Sequence, residues 1–244
     1  MTATNEFPQT HENTVGRYSE NAKYDVATIK AIIQESHFVN VSFVDQDGLP
    51  QCIPMVSAIQ EEQDGLHIYI HGYHKARLVK MLPPESRVCI TATLLDGLAL
   101  AWSAYASNMN YRCAVLHGEV VDWDETTPDA QAAKQEAARQ IVEGVCTGRW
   151  DECRQPSKAE MTTTGFLKIK VLSASAKISS GCAGEEKRDM DDAGVTSKLW
   201  AGVIPTKLML LDPIDSEHNK VPVPQTVKDF IATNNAQPVP WPKD

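Results

Sequence analysis

The stretch Asp64-Gly65-Leu66-His67-Ile68-Tyr69-Ile70-His71 decides the fold. An Asp-Gly pair tolerates the positive φ of a tight turn. It leads into a run that alternates Leu66, Ile68 and Ile70 with His67, Tyr69 and His71. A period of two puts the first set on one face of a sheet and the second on the other. Working outward, the same grammar recurs. Phe38–Asp45 is rich in Val and Phe, Asp47-Gly48 follows, and Leu49–Ile59 resumes an extended run. Arg87–Leu94 leads to Asp96-Gly97 and then Leu98–Ala104. Three Asp-Gly pairs between β-type runs predict three hairpins. Strands joined this closely favour a meander or barrel over a doubly wound parallel sheet. Tyr111–Trp123, Thr164–Ile178 and Leu199–Ile204 read as further strands, so the fold class is mainly β (α+β) with a few peripheral helices.

Two segments carry helical signals. In Asp25–Ser36, Asp25 caps a stripe of Val26, Ile29, Ile32 and Ile33 at helical spacing. Pro128–Glu143 is Ala-rich, with Thr127 as cap, Pro128 in the first turn and Gly144 as terminator. Residues 1–20 are polar and read as a loose arm. Residues 21–212 form the β domain, within which Gly181–Ser197 reads as a long loop. Residues 213–244 form a tail punctuated by Pro222, Pro224, Pro238, Pro240 and Pro242, expected to wrap a surface or a partner subunit.

The 244 residues are 42% hydrophobic and 23% charged, an ordinary globular balance with enough apolar content for a sizeable core. A net charge of −9 argues against a nucleic-acid partner. No apolar run is long enough to span a membrane, and the polar first twenty residues lack a secretory core. The six cysteines include no CxxC pair, and Cys52, Cys89 and Cys113 lie in apolar runs as small buried thiols. A reducing cytoplasmic setting is expected.

Beyond Ile70 the strand runs into His71-Gly72-Tyr73-His74-Lys75-Ala76-Arg77-Leu78-Val79-Lys80-Met81. Lys75, Arg77 and Lys80 gather cations where a strand enters a helical pattern, the arrangement a phosphate uses. A solvated helix face is the plainer explanation of the same spacing. Asn110-Tyr111-Arg112 opens a strand after a polar turn, and Arg beside an aromatic holds anions or stacks on flat rings. His67 and His71 share a strand face about 13 Å apart, too far to ligate one ion, so no metal site is expected. His117, alone in an apolar strand, reads as structural. The chain has no G-x-S-x-G, P-loop or G-x-G-x-x-G motif.

The order Gly16-Arg17, Tyr24-Asp25, Val41-Ser42-Phe43-Val44, Asp47-Gly48-Leu49-Pro50 and Ile53-Pro54-Met55 resembles the pyridoxamine 5′-phosphate oxidase-like flavin-nucleotide-binding proteins, in the branch related to nitroimidazole-resistance proteins. Ile70-His71-Gly72, Ala76-Arg77-Leu78, Val88-Cys89-Ile90-Thr91, Leu95-Asp96-Gly97-Leu98, Asn110-Tyr111-Arg112, Ser175-Ala176-Lys177 and Trp200-Ala201-Gly202-Val203-Ile204-Pro205 extend the match from about residue 14 to residue 212. The resemblance implies an FMN-binding split β-barrel and a homodimer with two interfacial flavin sites. It places Ile53, Pro54, Met55 and Val56 along the isoalloxazine edge. His71, Gly72, Lys75 and Arg77 would approach the ribityl phosphate. Asn110, Tyr111, Arg112 and Lys177 would reach the groove, and Trp200 would come from the facing subunit. Ala76, Asn108 and Ser179 depart from the family's polar or charged residues at these places.

The resemblance implies an FMN-dependent oxidoreductase acting on a small organic substrate. The alternative is a non-catalytic binding protein for FMN, haem or another flat ligand on the same barrel. A haem would require an axial ligand, for which His71, His74 and His117 are the candidates. No residue is assigned as catalytic acid or base.

Overall fold

The computed structural model describes residues 5–122 and 127–238. In chain order, the first elements are β1 (Ala22–Lys23), α1 (Val26–Glu35), β2 (Val39–Val44), β3 (Pro50–Met55), β4 (Ser57–Glu62), β5 (Gly65–Tyr73) and α2 (Arg77–Met81). The long strands β6 (Arg87–Leu100) and β7 (Asn108–Val120) follow, then α3 (Pro128–Val145), α4 (Lys158–Thr163) and β8 (Thr164–Ser179). Last come α5 (Lys187–Met190), α6 (Ala193–Thr196), β9 (Gly202–Pro205) and α7 (Gln225–Ala236). The architecture is the mainly β split barrel that the sequence implies.

The main sheet runs β3-β2-β6-β7-β8-β5-β4, with β1 added to β8 and β9 to β6. Each pairing is antiparallel. Its two ends, β3 and β4, are consecutive in sequence and separated only by Val56. The run Leu49–Ile59 is therefore two strands: Ile53 pairs with Val41 of β2, whereas Ser57 pairs with Ile70 of β5. The split in the barrel lies at Val56.

The inward residues of β5 are Leu66, Ile68 and Ile70, as the alternation predicts. They join Val39 and Val41 of β2, Val88 and Ile90 of β6, Leu116 of β7 and Ile169 of β8 in one core. Asp25 accepts a bond from the Thr28 amide at 2.8 Å, starting α1, whose Ile29, Ile32 and Ile33 close one side of this core. Gly48 and Gly65 take φ of +77° and +129°, so those two Asp-Gly pairs make the expected turns.

The third does not. Asp96-Gly97 lies inside β6, where a register shift between Leu95 and Gly97 marks a bulge. Strand β9 explains it: a Cβ on Gly97 would stand 2.9 Å from Val203 Cγ1 and 3.2 Å from the Ile204 carbonyl oxygen. Glycine is needed there for strand approach, not for a turn.

Other expectations shift too. α3 is capped by Thr127 at the Ala130 amide but runs through Gly144 to Val145. The arm is not loose: Phe7 packs on the core, and buried Asn13 donates to the Ala174 carbonyl at 3.1 Å. The loop Gly181–Ser197 contains α5 and α6, and the tail contains α7. Cys52 is exposed, and Cys89 and Cys113 are half-buried, because their strands turn these positions away from the core. Trp123, Pro240 and Pro242 lie outside the described residues.

Candidate functional site

Strand β5 has two uses. Its inward side chains fill the barrel, and its outward ones, His67, Tyr69 and His71, lie against a second layer. α3 lays Ala137 and Ile141 over Ala58, Tyr69 and Phe166, which form a separate apolar cluster. The outer face of β4, β5 and β8 is covered by this helix.

His71 sits at the margin of that layer. Its ring stacks on Phe166 with centroids 5.7 Å apart and planes inclined by 25°. Its Nδ1 is buried and has no hydrogen-bond partner. Burial also pushes its pKa below the ordinary histidine value, so the imidazole is held neutral. A buried polar atom without a partner is costly, and such atoms cluster where a ligand completes the bonding. His71 lines a cavity of about 260 Å³ with Ala138, Val142, Trp150, Met161 and Phe166. Arg154, Pro156, Glu160 and Thr164 complete its wall. A neutral imidazole beside aromatic and thioether side chains suits a flat apolar ring with a metal centre.

Glu143 holds the roof of this cavity. Its carboxylate accepts from the Gly148 amide at 2.6 Å and the Trp150 amide at 2.9 Å, fixing the loop after α3 with Trp150 over the space. Gly148 has φ +81°. None of Phe166, Trp150, Met161, Arg154 or Glu143 carried a functional signal in sequence, because their meeting depends on α3 folding back over β5 and β8.

Arg77 goes elsewhere. α2 docks through Val79 on Gly165, where a Cβ would stand 2.8 Å from Val79 Cγ1. From that position Arg77 Nη2 donates to Asp45 Oδ2 at 2.8 Å, and Nε donates to Met81 Sδ at 3.3 Å. The Arg77 side chain is still 57% exposed, whereas the Asp45 carboxylate is fully covered. Gly72 lies near Val79 and Met55, bringing three segments of the sequence match together. Lys75 and Lys80 are exposed. His74 is held through Nδ1 to the Thr163 carbonyl at 2.8 Å, so this ring is already bonded.

The remaining matched residues occupy two further places. Val56 and Arg112 line a cavity of about 960 Å³ between the ends of α1 and α3, strand β4 and α7. Arg112 is committed there. It donates to Asp96 from Nε at 2.9 Å and from Nη2 at 3.0 Å, and to Glu35 from Nη2 at 2.7 Å. Both carboxylates raise its pKa, the Glu35 bond most. Asn110 is buried and donates to the Gly181 carbonyl at 2.9 Å. Tyr111, half-buried, pairs with Leu95 and Ser179. Lys177 donates to the Arg17 carbonyl at 2.8 Å and lies over the Tyr18 ring. Ile53 and Met55 pack on the core edge, and Pro54 between them is exposed. Trp200 is 65% exposed, its ring against Gly202, where a Cβ would stand 2.7 Å from Cζ2.

Glu62, Asp64 and His67 bring ligand atoms within 4.8 Å of one another. Lys168 pairs with Glu62 at 2.7 Å and Lys170 with Asp64 at 2.8 Å, so the carboxylates are neutralised by ammonium groups. Among the described residues, no helix is long and apolar enough to cross a membrane.

Residues 25–178 match the family described as pyridoxamine 5′-phosphate oxidase. No curated protein matches the chain. The structure of the flavocytochrome Anf3 from Azotobacter vinelandii is similar at 32% identity and TM-score 0.74, covering 91% of this chain and 97% of that one. The FAD and heme binding protein from Mycobacterium smegmatis shares 22% identity and a TM-score of 0.72, over 86% of this chain and 97% of that one. A putative 5-nitroimidazole antibiotic resistance protein from Bacteroides thetaiotaomicron shares 20% identity and a TM-score of 0.51, over 64% of this chain and 86% of that one.

Proposed function

The chain belongs to the pyridoxamine 5′-phosphate oxidase family, and from that premise we propose that it is a flavin-binding redox protein that also carries haem. The observation that carries this reading is His71: a neutral imidazole with a buried, unpartnered nitrogen, on the wall of a cavity shared with Trp150, Met161 and Phe166. Similarity to a flavocytochrome at 32% identity across nearly the whole chain supports it.

The two cofactors would use different residues. His71 would hold haem, with Trp150, Met161 and Phe166 lining the space around it, beside the Arg154–Glu160 ion pair. Among the candidate histidines, His74 is bonded through Nδ1 alone, and neither it nor His117 lines the cavity of about 260 Å³ that His71 lines. The cavity of about 260 Å³ at His71 would have to open to admit a macrocycle. FMN would lie along Ile53–Val56 at the free edge of β3, with its phosphate at Arg77 and Lys75. When bound, flavin supplies hydride and single-electron transfer, and haem supplies single-electron and oxygen chemistry. The chain would position a small organic substrate or electron donor over the flavin and exclude water from the haem.

A second copy completes the flavin site. Leu95, Leu98, Met109, Leu199, Trp200 and Ile204 are large apolar side chains exposed on β6, β7, β9 and the segment before β9. A face of that composition fits a homodimer interface.

The test is a visible spectrum of the protein loaded with haemin and, separately, with FMN or FAD. The expected result is a sharpened Soret band and bound flavin, identified after release by chromatography. In His71→Ala the Soret change disappears while flavin stays bound. A chain that binds neither cofactor removes the proposal. Haem binding that survives His71→Ala removes the ligand assignment.

A further inference from the structure

We infer that Asp45 is a positioning residue for the flavin phosphate, acting through Arg77; the inference rests on Arg77 being the phosphate ligand. Asp45 follows β2 and organises the turn into β3. Its Oδ1 accepts the Asp47 amide at 3.0 Å and the Leu49 amide at 2.9 Å. Its Oδ2 accepts Gln51 Nε2 at 2.8 Å and Arg77 Nη2 at 2.8 Å. The carboxylate is thus a buried four-donor hub, joining the β2–β3 turn to the first residue of α2. Hydrogen bonds, led by that from the Leu49 amide, hold its pKa below the usual carboxylate range.

The geometry at Arg77 is one-sided. Nε and one Nη2 hydrogen are spent on Met81 and Asp45. Both Nη1 hydrogens and the outer face of the guanidinium stay open, on a side chain 57% exposed. An exposed arginine ordinarily samples many rotamers, and fixing one on binding costs affinity. Asp45 fixes it beforehand and leaves the donors a phosphate needs. Ordering one long side chain corresponds to about three- to tenfold in affinity. The repulsion between Asp45 and the phosphate opposes this, but four donors, Arg77 among them, already compensate the charge of the carboxylate. Positioning therefore wins.

Asp45→Asn keeps an oxygen for the two turn amides and replaces the acceptor that faces Arg77. The experiment measures dissociation constants of FMN and riboflavin, by quenching of flavin fluorescence, for wild type, Asp45→Asn, Arg77→Lys and Arg77→Ala. The ratio of the two constants isolates the phosphate and cancels any change in folded fraction. In Asp45→Asn the preference for FMN over riboflavin falls about three- to tenfold, with riboflavin affinity unchanged. Arg77→Lys keeps the charge but not the fork, and loses nearly as much preference as Arg77→Ala. If Arg77→Ala lowers the preference but Asp45→Asn and Arg77→Lys keep the wild-type ratio, the positioning role is wrong and the phosphate assignment stands. If Arg77→Ala itself leaves the ratio unchanged, the phosphate assignment fails first. A ratio that rises in Asp45→Asn also overturns the inference, since repulsion would then dominate.

Discussion

Replacing Arg112 by Met separates two roles for one residue. The family resemblance makes Arg112 a flavin ligand, whereas the structure spends its donors on Asp96 and Glu35. Met keeps most of the stem's packing and removes the charge. Breaking a buried ion pair by deleting one partner costs about 3–5 kcal/mol. Here the Arg112 and Asp96 side chains are 23% and 11% exposed, so water recovers part of that, leaving about 2–3 kcal/mol. Glu35, half exposed, adds under about 1 kcal/mol. For a chain of this size each kcal/mol lowers Tm by about 2–4 °C. Arg112→Met should therefore melt about 4–16 °C lower by scanning calorimetry of the cofactor-free protein. Adding Asp96→Asn to it should recover part of the loss, because the uncompensated charge goes with it. Flavin affinity, titrated below the melting range, should change by less than about threefold. An unchanged Tm together with a tenfold loss of flavin would refute the reasoning: Arg112 would then release its carboxylates to bind the cofactor.

Three further outcomes can be checked in the same preparations. Gly118→Ala places a Cβ 2.7 Å from both Ile169 Cγ2 and the Lys170 carbonyl oxygen, so it should cost about 1–3 kcal/mol in a urea melt with no effect on cofactor ratios. Burial holds His67 and His71 below the ordinary histidine pKa, so the unfolded chain takes up protons near pH 6.5 that the folded chain resists. Their stabilisation is present above about pH 6.5 and declines as pH falls below it; Tm should drop between pH 7.5 and 5.5, and His71→Leu should flatten that slope. A slope that is identical in His71→Leu would mean that His71 takes no part. Light scattering should give a dimer of 26.9 kDa chains, and Leu98→Glu at the exposed apolar face should shift it to monomer and weaken FMN binding.

Much of the barrel is written in local pattern. The alternation in β5, the Asp25 cap and the glycines at 48 and 65 each state a backbone conformation that neighbouring residues enforce. Asp96-Gly97 misleads because the pair satisfies two different needs, and only β9, a hundred residues on, decides between them. The run Leu49–Ile59 misleads for a similar reason: nothing local distinguishes one long strand from two that part company at Val56. α3 passes through Gly144 because Ala137 and Ile141 are anchored on the sheet, and this packing outweighs the roughly 1 kcal/mol that glycine costs a helix. The site was half legible. Arg77 stands out by charge and place, but Asp45, its anchor, is 32 residues away and reads as a turn former. Phe166 and Trp150 look like ordinary core residues until α3 brings them to His71.

The same strand end also separates the two proposed cofactor sites. His71 and Gly72 are consecutive, so a Cβ at position 72 would leave β5 on the face opposite the His71 side chain. His71 turns out beneath α3, while Gly72 faces Met55 and Val79, next to the helix that carries Arg77. The β5–β8 register is unbroken from His67 to Tyr73, so the paired strand separates the two surroundings. We therefore propose that the phosphate role the resemblance gives jointly to His71 and Arg77 is divided between two sites. Groups with no shared partner act additively, to within about 0.3–0.5 kcal/mol. In the double variant His71→Ala, Arg77→Ala, haem affinity should fall as in the first single variant and flavin affinity as in the second, each within about twofold. If haem loss in the double variant greatly exceeds that of His71→Ala alone, the two residues share one ligand, and the division of β5 into two faces does not describe how the protein binds it.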